Sequence, residues 1–275
     1  MHSNERYSKT PLNVVQSLWR NRQLIWQLAT REVIGRYRGS FLGLLWSFFN
    51  PLLLLCVYTF VFSVVFRAKW HEQAESHTEF AVMLFAGLIV YSIFAECVNR
   101  APGLILGNVN YVKKVVFPLE SLPWVIMGAT VFHSLVSVLV LVLMSLSVHG
   151  AIHWTVILFP LVVFPLVLVT MGLCWFLASL GIFLRDLGQV VLILTTALIF
   201  MTPVFYPAGN LPDAVRPYVL LNPLSFVIEQ ARAVLIRGEL PNWPGLACYA
   251  ALSIIVAWLG LLWFQKTRHG FADVL

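Results

Sequence analysis

The amino-acid sequence predicts an all-α integral membrane protein. It should have six transmembrane helices, an N-terminal amphipathic interfacial helix and a re-entrant outer segment before the last span. Apolar residues make up 60% of the 275 residues and charged residues only 11%, whereas a soluble domain has about 25% charged residues. The apolar residues fall into long runs, and lysine and arginine gather between those runs. Residues 1–275 are therefore interpreted as a single transmembrane domain.

The first predicted element is an amphipathic helix over residues 12–34. Apolar side chains recur there at helical spacing, but Arg20, Arg22 and Arg31 interrupt them. Arginines near the centre of a spanning helix would lie in hydrocarbon, which is costly. This helix is therefore predicted to lie on the membrane surface.

Six apolar runs after this helix are predicted to cross the membrane, because about 20 apolar residues span a hydrocarbon core of about 30 Å. Pro203 and Pro207 make the fifth run short, and Pro160 and Pro165 predict a kink in the fourth. The predicted spans are 41–66, 80–99, 124–147, 154–183, 189–205 and 245–265.

Residues 206–240 are the predicted outer re-entrant segment. The segment is about half apolar, contains several prolines and carries Glu229 and Arg232. It is too broken to span the membrane and too apolar for an ordinary loop. Short helices that enter the outer leaflet and return are predicted, because irregular backbone at that depth must be buried against protein.

The distribution of lysine and arginine predicts that both termini are cytoplasmic. In that orientation, thirteen of the 18 Lys and Arg residues lie in inner segments and five in outer ones, as the positive-inside rule requires. Residues 100–123 and 184–188 are then inner loops. Because the basic residues flank apolar runs, the net charge of +6 indicates contact with membrane lipids, and no nucleic-acid partner is expected.

The sequence contains no GxxxxGK[ST], GxSxG or HExxH motif. The stretch HEQAESH at 71–77 is interpreted as a solvated acidic loop, and no metal site is predicted. Glu96 lies near the inner end of the second span, four residues from Arg100. A structural ion pair is favoured there over proton transport, and His133 in the third span is interpreted as a satisfied or interfacial residue.

The abundant aromatic residues, 20 Phe, 10 Trp and 8 Tyr, admit two interpretations. They could form lipid-facing packing with interfacial belts, or a conduit whose walls stack on sugar rings. In the first span, residues three, four and seven apart share a helix face. One face carries Trp46, Phe49, Asn50 and Phe60, and it is predicted either to face a substrate path or to pack on a neighbouring helix.

The segment TREVIGRYRGSFLGLLWSFFNPLLLLCVYTFVFSVVF at 30–66 places RYRGS one residue before LGLLWSFFNP. This segment and two later ones resemble ABC type-2 permeases that export bacterial cell-surface polysaccharides such as O-antigen, capsule and teichoic acid. In that family an interfacial helix leads through an RYRGS-like turn into an LGxLWxxxNP first span. The segments VNYVKKVVFPLESLP at 109–123 and FYPAGNLPDAVRPYVLLNPLSFVIEQAR at 205–232 are also similar to family segments. The residues of the turn are Arg36, Tyr37, Arg38, Gly39 and Ser40.

The resemblance implies the membrane-spanning subunit of an ATP-driven exporter of a lipid-linked polysaccharide in the bacterial inner membrane. It implies two copies of this chain and two copies of a separate ABC ATPase that holds ATP and Mg. This chain itself is expected to bind no cofactor and to catalyse no reaction. A short docking helix is predicted within 108–122, with the ATPase-coupling residues Tyr111, Val112, Lys113, Lys114 and Phe117.

Other functions remain open from the sequence. One is an ABC permease for another lipid or a drug. Another is a self-sufficient secondary transporter or channel, which predicts inverted repeats and several polar groups at mid-membrane, and neither is evident. An intramembrane enzyme would need a paired nucleophile and base, which the sequence does not offer.

Overall fold

The computed structural model describes residues 19–65, 77–113, 117–207, 209 and 211–275, and within these ranges it contains helices and turns but no β-strand. The α-helices are α1 Arg22–Tyr37, α2 Trp46–Thr59, α3 His77–Arg100, α4 Val109–Lys113, α5 Leu122–His149, α6 Phe159–Phe183, α7 Leu187–Phe200, α8 Arg216–Leu221, α9 Pro223–Arg232, α10 Trp243–Thr267 and α11 Phe271–Val274.

Five helical segments of the described chain are long and apolar enough to cross a membrane, and they correspond to the predicted first, second, third, fourth and sixth spans. The predicted fifth span is α7, which has only 14 residues and a length of about 21 Å. It ends at Phe200 rather than at residue 205, because Pro203 cannot continue a helix. The five long segments are Gly43–Phe62, Thr78–Arg100, Leu119–Ser147, Trp154–Phe183 and Trp243–Gly270.

The N-terminal helix α1 extends to Tyr37, three residues beyond its predicted end. Arg36 and Tyr37 therefore belong to the helix, and the predicted turn is confined to the residues after them. Gly39 lies in this turn with a φ of 87°, a left-handed conformation that favours glycine. Residues 12–18 of the predicted helix lie outside the described part of the chain.

The packed centre of the fold is α3, which contacts α2, α5, α6, α7 and α9. In its most apolar stretch, 78% of the residues are buried. The helices α6 and α10 approach each other closely, since a Cβ on Gly260 would lie 2.0 Å from the carbonyl oxygen of Gly172. Pro160 lies in the first turn of α6, where the missing N–H costs no helical bond, so only Pro165 lies inside the helix.

The segment 206–240, predicted to be re-entrant, contains α8, α9 and a π-helical turn over Ala233–Arg237. The helix α9 packs against α3 and α6. Most residues of 224–236 are buried, whereas most of 212–223 are exposed.

The segment 108–122 contains a short helix, as predicted. Of its described residues, Val109–Lys113 forms an α-helix and Leu119–Ser121 forms a 3₁₀ turn. Residues 114–116, including Lys114, lie outside the described residues. The helix Val109–Lys113 packs beside α11.

Candidate functional site

A cavity of about 630 Å³ lies between α2, α3 and α5. Its lining on α2 extends from Trp46 to Tyr58, which is about 18 Å of helix. The end nearest α1 is charged, and the remaining wall combines aromatic rings with hydroxyl and amide groups. The aromatic members are Trp46, Tyr58, Phe85 and Tyr91, and the uncharged polar members include Ser47, Asn50, Ser92 and Ser137.

The charged end of the cavity is built around Glu96 of α3. Arg36 Nη1 lies 2.8 Å from Glu96 Oε1, and Arg100 Nη1 lies 3.9 Å from the same oxygen. Arg100 also pairs with Glu32 of α1. The expected partner Arg100 is therefore secondary, and the shorter ion pair joins α3 to α1. This arrangement keeps the carboxylate, 18% exposed, paired inside the apolar bundle, where an unpaired charge is costly.

His133 of α5 completes this cluster. Arg36 Nη1 lies 2.8 Å from His133 Nδ1, and the Tyr37 hydroxyl oxygen lies 3.2 Å from His133 Nε2. Because a guanidinium only donates, the contact with Arg36 fits the tautomer in which Nδ1 accepts and Nε2 donates to Tyr37. Burial raises the pKa of Tyr37, although Arg36 acts in the opposite direction. Two residues of the RYRGS motif thus bind α1 to α3 and α5.

The remaining residues of that motif shape the turn that enters α2. Ser40 Oγ donates to the Tyr37 carbonyl oxygen at 2.9 Å. Arg38 faces a groove on the other side of α1, and Gly39 provides the left-handed backbone of the turn. The motif therefore sets the angle between the interfacial helix and the first span.

The structure divides the predicted face of the first span. Trp46 and Asn50 line the cavity. Phe49 and Phe60 are 40% and 59% exposed on the outside of this single chain. Tyr91, which sequence reasoning missed, lines the cavity from α3. The available signal was a tyrosine followed by a serine in an otherwise apolar run.

A second cavity of about 370 Å³ adjoins the first, and Tyr58, Tyr91, Ala95 and Ile199 line both. Its wall on α7 includes Thr195, whose Oγ1 donates to Asn99 Oδ1 at 2.8 Å. The two cavities together continue the combination of aromatic and polar groups along α2, α3 and α7.

The two helices beside these cavities are poorly covered by their own chain. Only 11% of the residues in the most apolar stretch of the first span are buried. On α7, Ile193 and Leu194 are 68% and 62% exposed. These apolar faces of α2 and α7 are available to lipid or to another protein chain.

The predicted coupling residues lie on the side of α1 away from the cavity. The rings of Tyr111 and Phe117 stack with centroids 4.5 Å apart. Because Phe117 is buried, it packs against the side of the Tyr111 ring that faces the protein interior. Val112 is half-buried, and Lys113 ends α4. The carbonyl oxygen of Phe117 accepts from Arg268 Nη2 at 3.2 Å, which joins this segment to the C-terminal end of α10.

Tyr111 also lines a groove of about 710 Å³ between α1, the C-terminal end of α3 and the N-terminal end of α5. The groove walls carry charges of both signs. These include Arg31, Glu32, Arg38 and Arg100.

Among the described residues, no group of three or more His, Cys, Asp or Glu side chains is arranged to hold a metal ion. Of the stretch HEQAESH, only His77 is described, at the start of α3.

Comparison with known proteins identifies one family model and several similar transport proteins. The family model of the ABC-2 type transporter matches residues 23–236. The O-antigen export system permease protein RfbA of Myxococcus xanthus is 31% identical over 264 residues, which is 95% of this chain and 99% of that protein. The protein of the same name from Klebsiella pneumoniae is 29% identical, with 90% and 93% covered. The polysialic acid transport protein KpsM of Escherichia coli is 25% identical, with 88% and 92% covered.

Proposed function

Since this chain belongs to the ABC-2 type transporter family, we propose that it is the membrane-spanning subunit of an ATP-driven exporter of a lipid-linked cell-surface polysaccharide. The observation that carries the proposal is the pair of adjoining cavities along α2, α3 and α7. A glycan hydroxyl left without a partner in hydrocarbon costs free energy, so a glycan path needs hydrogen-bonding groups. It also needs flat apolar surfaces for the ring carbons, and these walls offer both.

The path begins at Trp46 and Asn50 and continues past Tyr58 and Tyr91. The serines and Asn50 supply donors and acceptors, and the aromatic rings supply the flat faces. Phe49 and Phe60 belong to the same path if the exposed face of α2 meets a second copy of the chain.

That second copy is the next part of the proposal. The faces of α2 and α7 that flank the cavities are apolar and uncovered, whereas the centre of the fold at α3 is covered by its own chain. A contact between two copies through α2 and α7 would enclose the cavities and give a homodimer with a central path.

Energy for transport comes from a separate ABC ATPase, in two copies, which holds ATP and Mg. Its docking surface includes the groove between α1 and the ends of α3 and α5, which Tyr111 lines, together with the adjacent coupling residues Val112, Lys113 and Lys114. Phe117 positions Tyr111 through the ring stack. Because Arg268 holds this segment to α10 and α1 is bound to Glu96, a push on the groove reaches both the last span and the wall of the cavity.

We place the chain in the bacterial inner membrane with six spans, both termini in the cytoplasm and 206–240 re-entrant from the outside. The short α7 crosses as the fifth span together with the turn at 201–206. The positive-inside distribution of lysine and arginine supports this orientation.

The test is to purify the chain with a candidate ABC ATPase and measure ATP hydrolysis and export in proteoliposomes. Lipid-linked polysaccharide should stimulate both. If a drug or a simple lipid stimulates ATP hydrolysis and the glycan does not, the substrate of this chain belongs to another class. Transport without any ATPase would contradict the proposal altogether.

The path is tested with Trp46→Ala and Phe49→Ala, with Phe164→Ala as the matched control because Phe164 is 55% exposed on α6. Export should fall more than protein level or basal ATP hydrolysis in the first two variants. A parallel fall of all three quantities would make those residues packing residues.

The docking surface is tested with a Tyr111→Glu and Val112→Glu double substitution. Co-purification of the ATPase should be lost while membrane insertion remains normal, because buried charges at a contact are costly. Normal co-purification and export would move the docking site elsewhere, first to the remaining surface of α1.

A further inference from the structure

The turn formed by residues 201–206, after α7, is held by both ends of α9. At the N-cap of α9, the Asn222 side-chain amide donates to Thr202 Oγ1 at 2.9 Å. At the last residue of α9, Arg232 Nη2 donates to the carbonyl oxygen of Val204 at 3.1 Å. A displacement of α9 therefore carries this turn with it.

Arg232 also binds the turn to α3. Its side chain is fully buried, and arginine is rarely buried unless it is paired. Nε donates to the carbonyl oxygen of Met83 at 3.0 Å, and Nη1 donates to Glu229 Oε1 at 2.7 Å. Gly87 leaves room for the guanidinium, since a Cβ there would lie 2.8 Å from Nη2. One side chain thus joins α3, α9 and the turn.

The residue after Val204 is Phe205, whose ring faces α2. It stacks on Phe62 with ring centroids 4.5 Å apart and planes inclined by 10°, and it lies 5.3 Å from the ring of Tyr58. These three rings line the second cavity. Because Phe62 follows the last turn of α2, the cluster lies at the end of α2 away from Arg36.

We propose that Phe205 and Phe62 are the gate of the cavity at this end, and that Arg232 and Asn222 are its positioning residues. The proposal rests on the proposed transport function. Apolar constrictions close paths by excluding water, and two stacked rings form such a constriction. Movement of α9 would separate the rings, since the turn that carries Phe205 is bonded to both ends of that helix.

The location of Phe205 supports its role as a gate. Phe205 is only 5% exposed and packs with the core, but it also lines the second cavity. A ring beside open space has room to move into it, which a residue packed on all sides lacks. Phe205 also lies in a turn, where a few φ/ψ changes move a side chain without disrupting a helix. The carbonyl oxygen of the preceding residue, Val204, accepts a hydrogen bond from the buried Arg232, which fixes the position of the turn.

The experiment measures access to the cavity from outside the cell. Ser92, which is exposed and lines the first cavity, is replaced by cysteine in a chain whose exposed Cys56 and Cys248 are alanine. A membrane-impermeant thiol reagent is added to intact cells. Phe205→Ala should raise the labelling rate roughly tenfold, because an apolar constriction is lost. An unchanged rate in a normally assembled protein overturns the gate.

Phe164→Ala is the matched control for removal of an exposed ring, and it should leave the labelling rate unchanged. An equal rise in this control overturns the assignment, because access would then follow general loosening.

The positioning role is tested by Arg232→Gln, Arg232→Lys and the control Arg216→Gln, an exposed arginine on α8. Arg232→Gln should raise the labelling rate of the Ser92→Cys chain, and Arg232→Lys should restore part of the closure because lysine still donates. Combined with Phe205→Ala, Arg232→Gln should add nothing, since it acts through that ring. An additive rise overturns the positioning role.

If Arg232→Gln does not assemble, a second measurement decides the gate. A short bifunctional thiol reagent joins cysteines placed at Phe62 and Phe205. Export should stop while ATP hydrolysis by the partner continues, and reduction of a cleavable linker should restore export. Continued export by the cross-linked chain overturns the gate.

Failure of the proposed function is distinguishable, because the labelling assay uses neither a glycan nor ATP. A chain that exports no polysaccharide but shows the predicted labelling keeps the gate and loses the substrate assignment.

Discussion

Replacing Gly260 by alanine tests the close contact where α10 crosses α6. A Cβ at this position would lie 2.0 Å from the carbonyl oxygen of Gly172 and 2.6 Å from its carbonyl carbon. Both are backbone atoms, so no side-chain rotation relieves the clash. Small residues at such positions let helix backbones approach closely in membranes.

The magnitude follows from the distances. Separations under 3.0 Å are essentially never seen for a Cβ, so the helices must separate by at least about 1 Å, and a gap of that size loses about a quarter to a half of the dispersion energy of the atoms concerned. Overpacking of this kind costs about 1–3 kcal/mol. Alanine gains about 1 kcal/mol over glycine in a helix, so the net destabilisation by Gly260→Ala is up to about 2 kcal/mol.

Gly188→Ala is the matched control, because Gly188 lies in α7 and a Cβ there meets no atom within 4 Å. The assay is the fraction of monodisperse protein that survives heating in detergent, followed by size-exclusion chromatography. Gly260→Ala should lower the midpoint temperature, and Gly188→Ala should leave it unchanged or raise it. Adding Gly172→Ala to Gly260→Ala should lower the midpoint temperature by less than Gly172→Ala alone does, because the helices are already apart. Equal midpoint temperatures for Gly260→Ala and Gly188→Ala would refute the close crossing of α6 and α10.

Two further predictions concern the inner end of the cavity and the topology. Glu96→Gln and Arg36→Gln should each lower the midpoint temperature, because each single change leaves a partly buried group without its partner. The double variant should lower it by less than the sum of the two single changes. Additive decreases would show that the ion pair contributes nothing. A cysteine at Arg216 should react with an impermeant thiol reagent from outside the cell, and a cysteine at Lys113 should react only after the membrane is opened; labelling of the second in intact cells would invert the proposed topology.

The sequence by itself determined the class of protein and the position of most helices. The fourth span, predicted at 154–183, is helical over Trp154–Leu158 and Phe159–Phe183. Such agreement is expected because hydrophobicity and length are local properties of a stretch of chain. The sequence also placed Trp46 and Asn50 on one helix face, since helical periodicity is equally local.

Only the tertiary structure decided which residues meet. Arg36 and His133 are 97 positions apart along the chain, and no local pattern pairs them. Arg232 could be predicted as an unusual charge in an apolar segment, but its bonds to Met83 and Val204 join three separate elements. Likewise, Phe117 was predicted among the ATPase-coupling residues, and only the fold shows that it is buried against Tyr111. Burial and partner choice depend on how distant helices pack, because each polar group removed from water must find its hydrogen bond wherever the fold brings a donor or acceptor close.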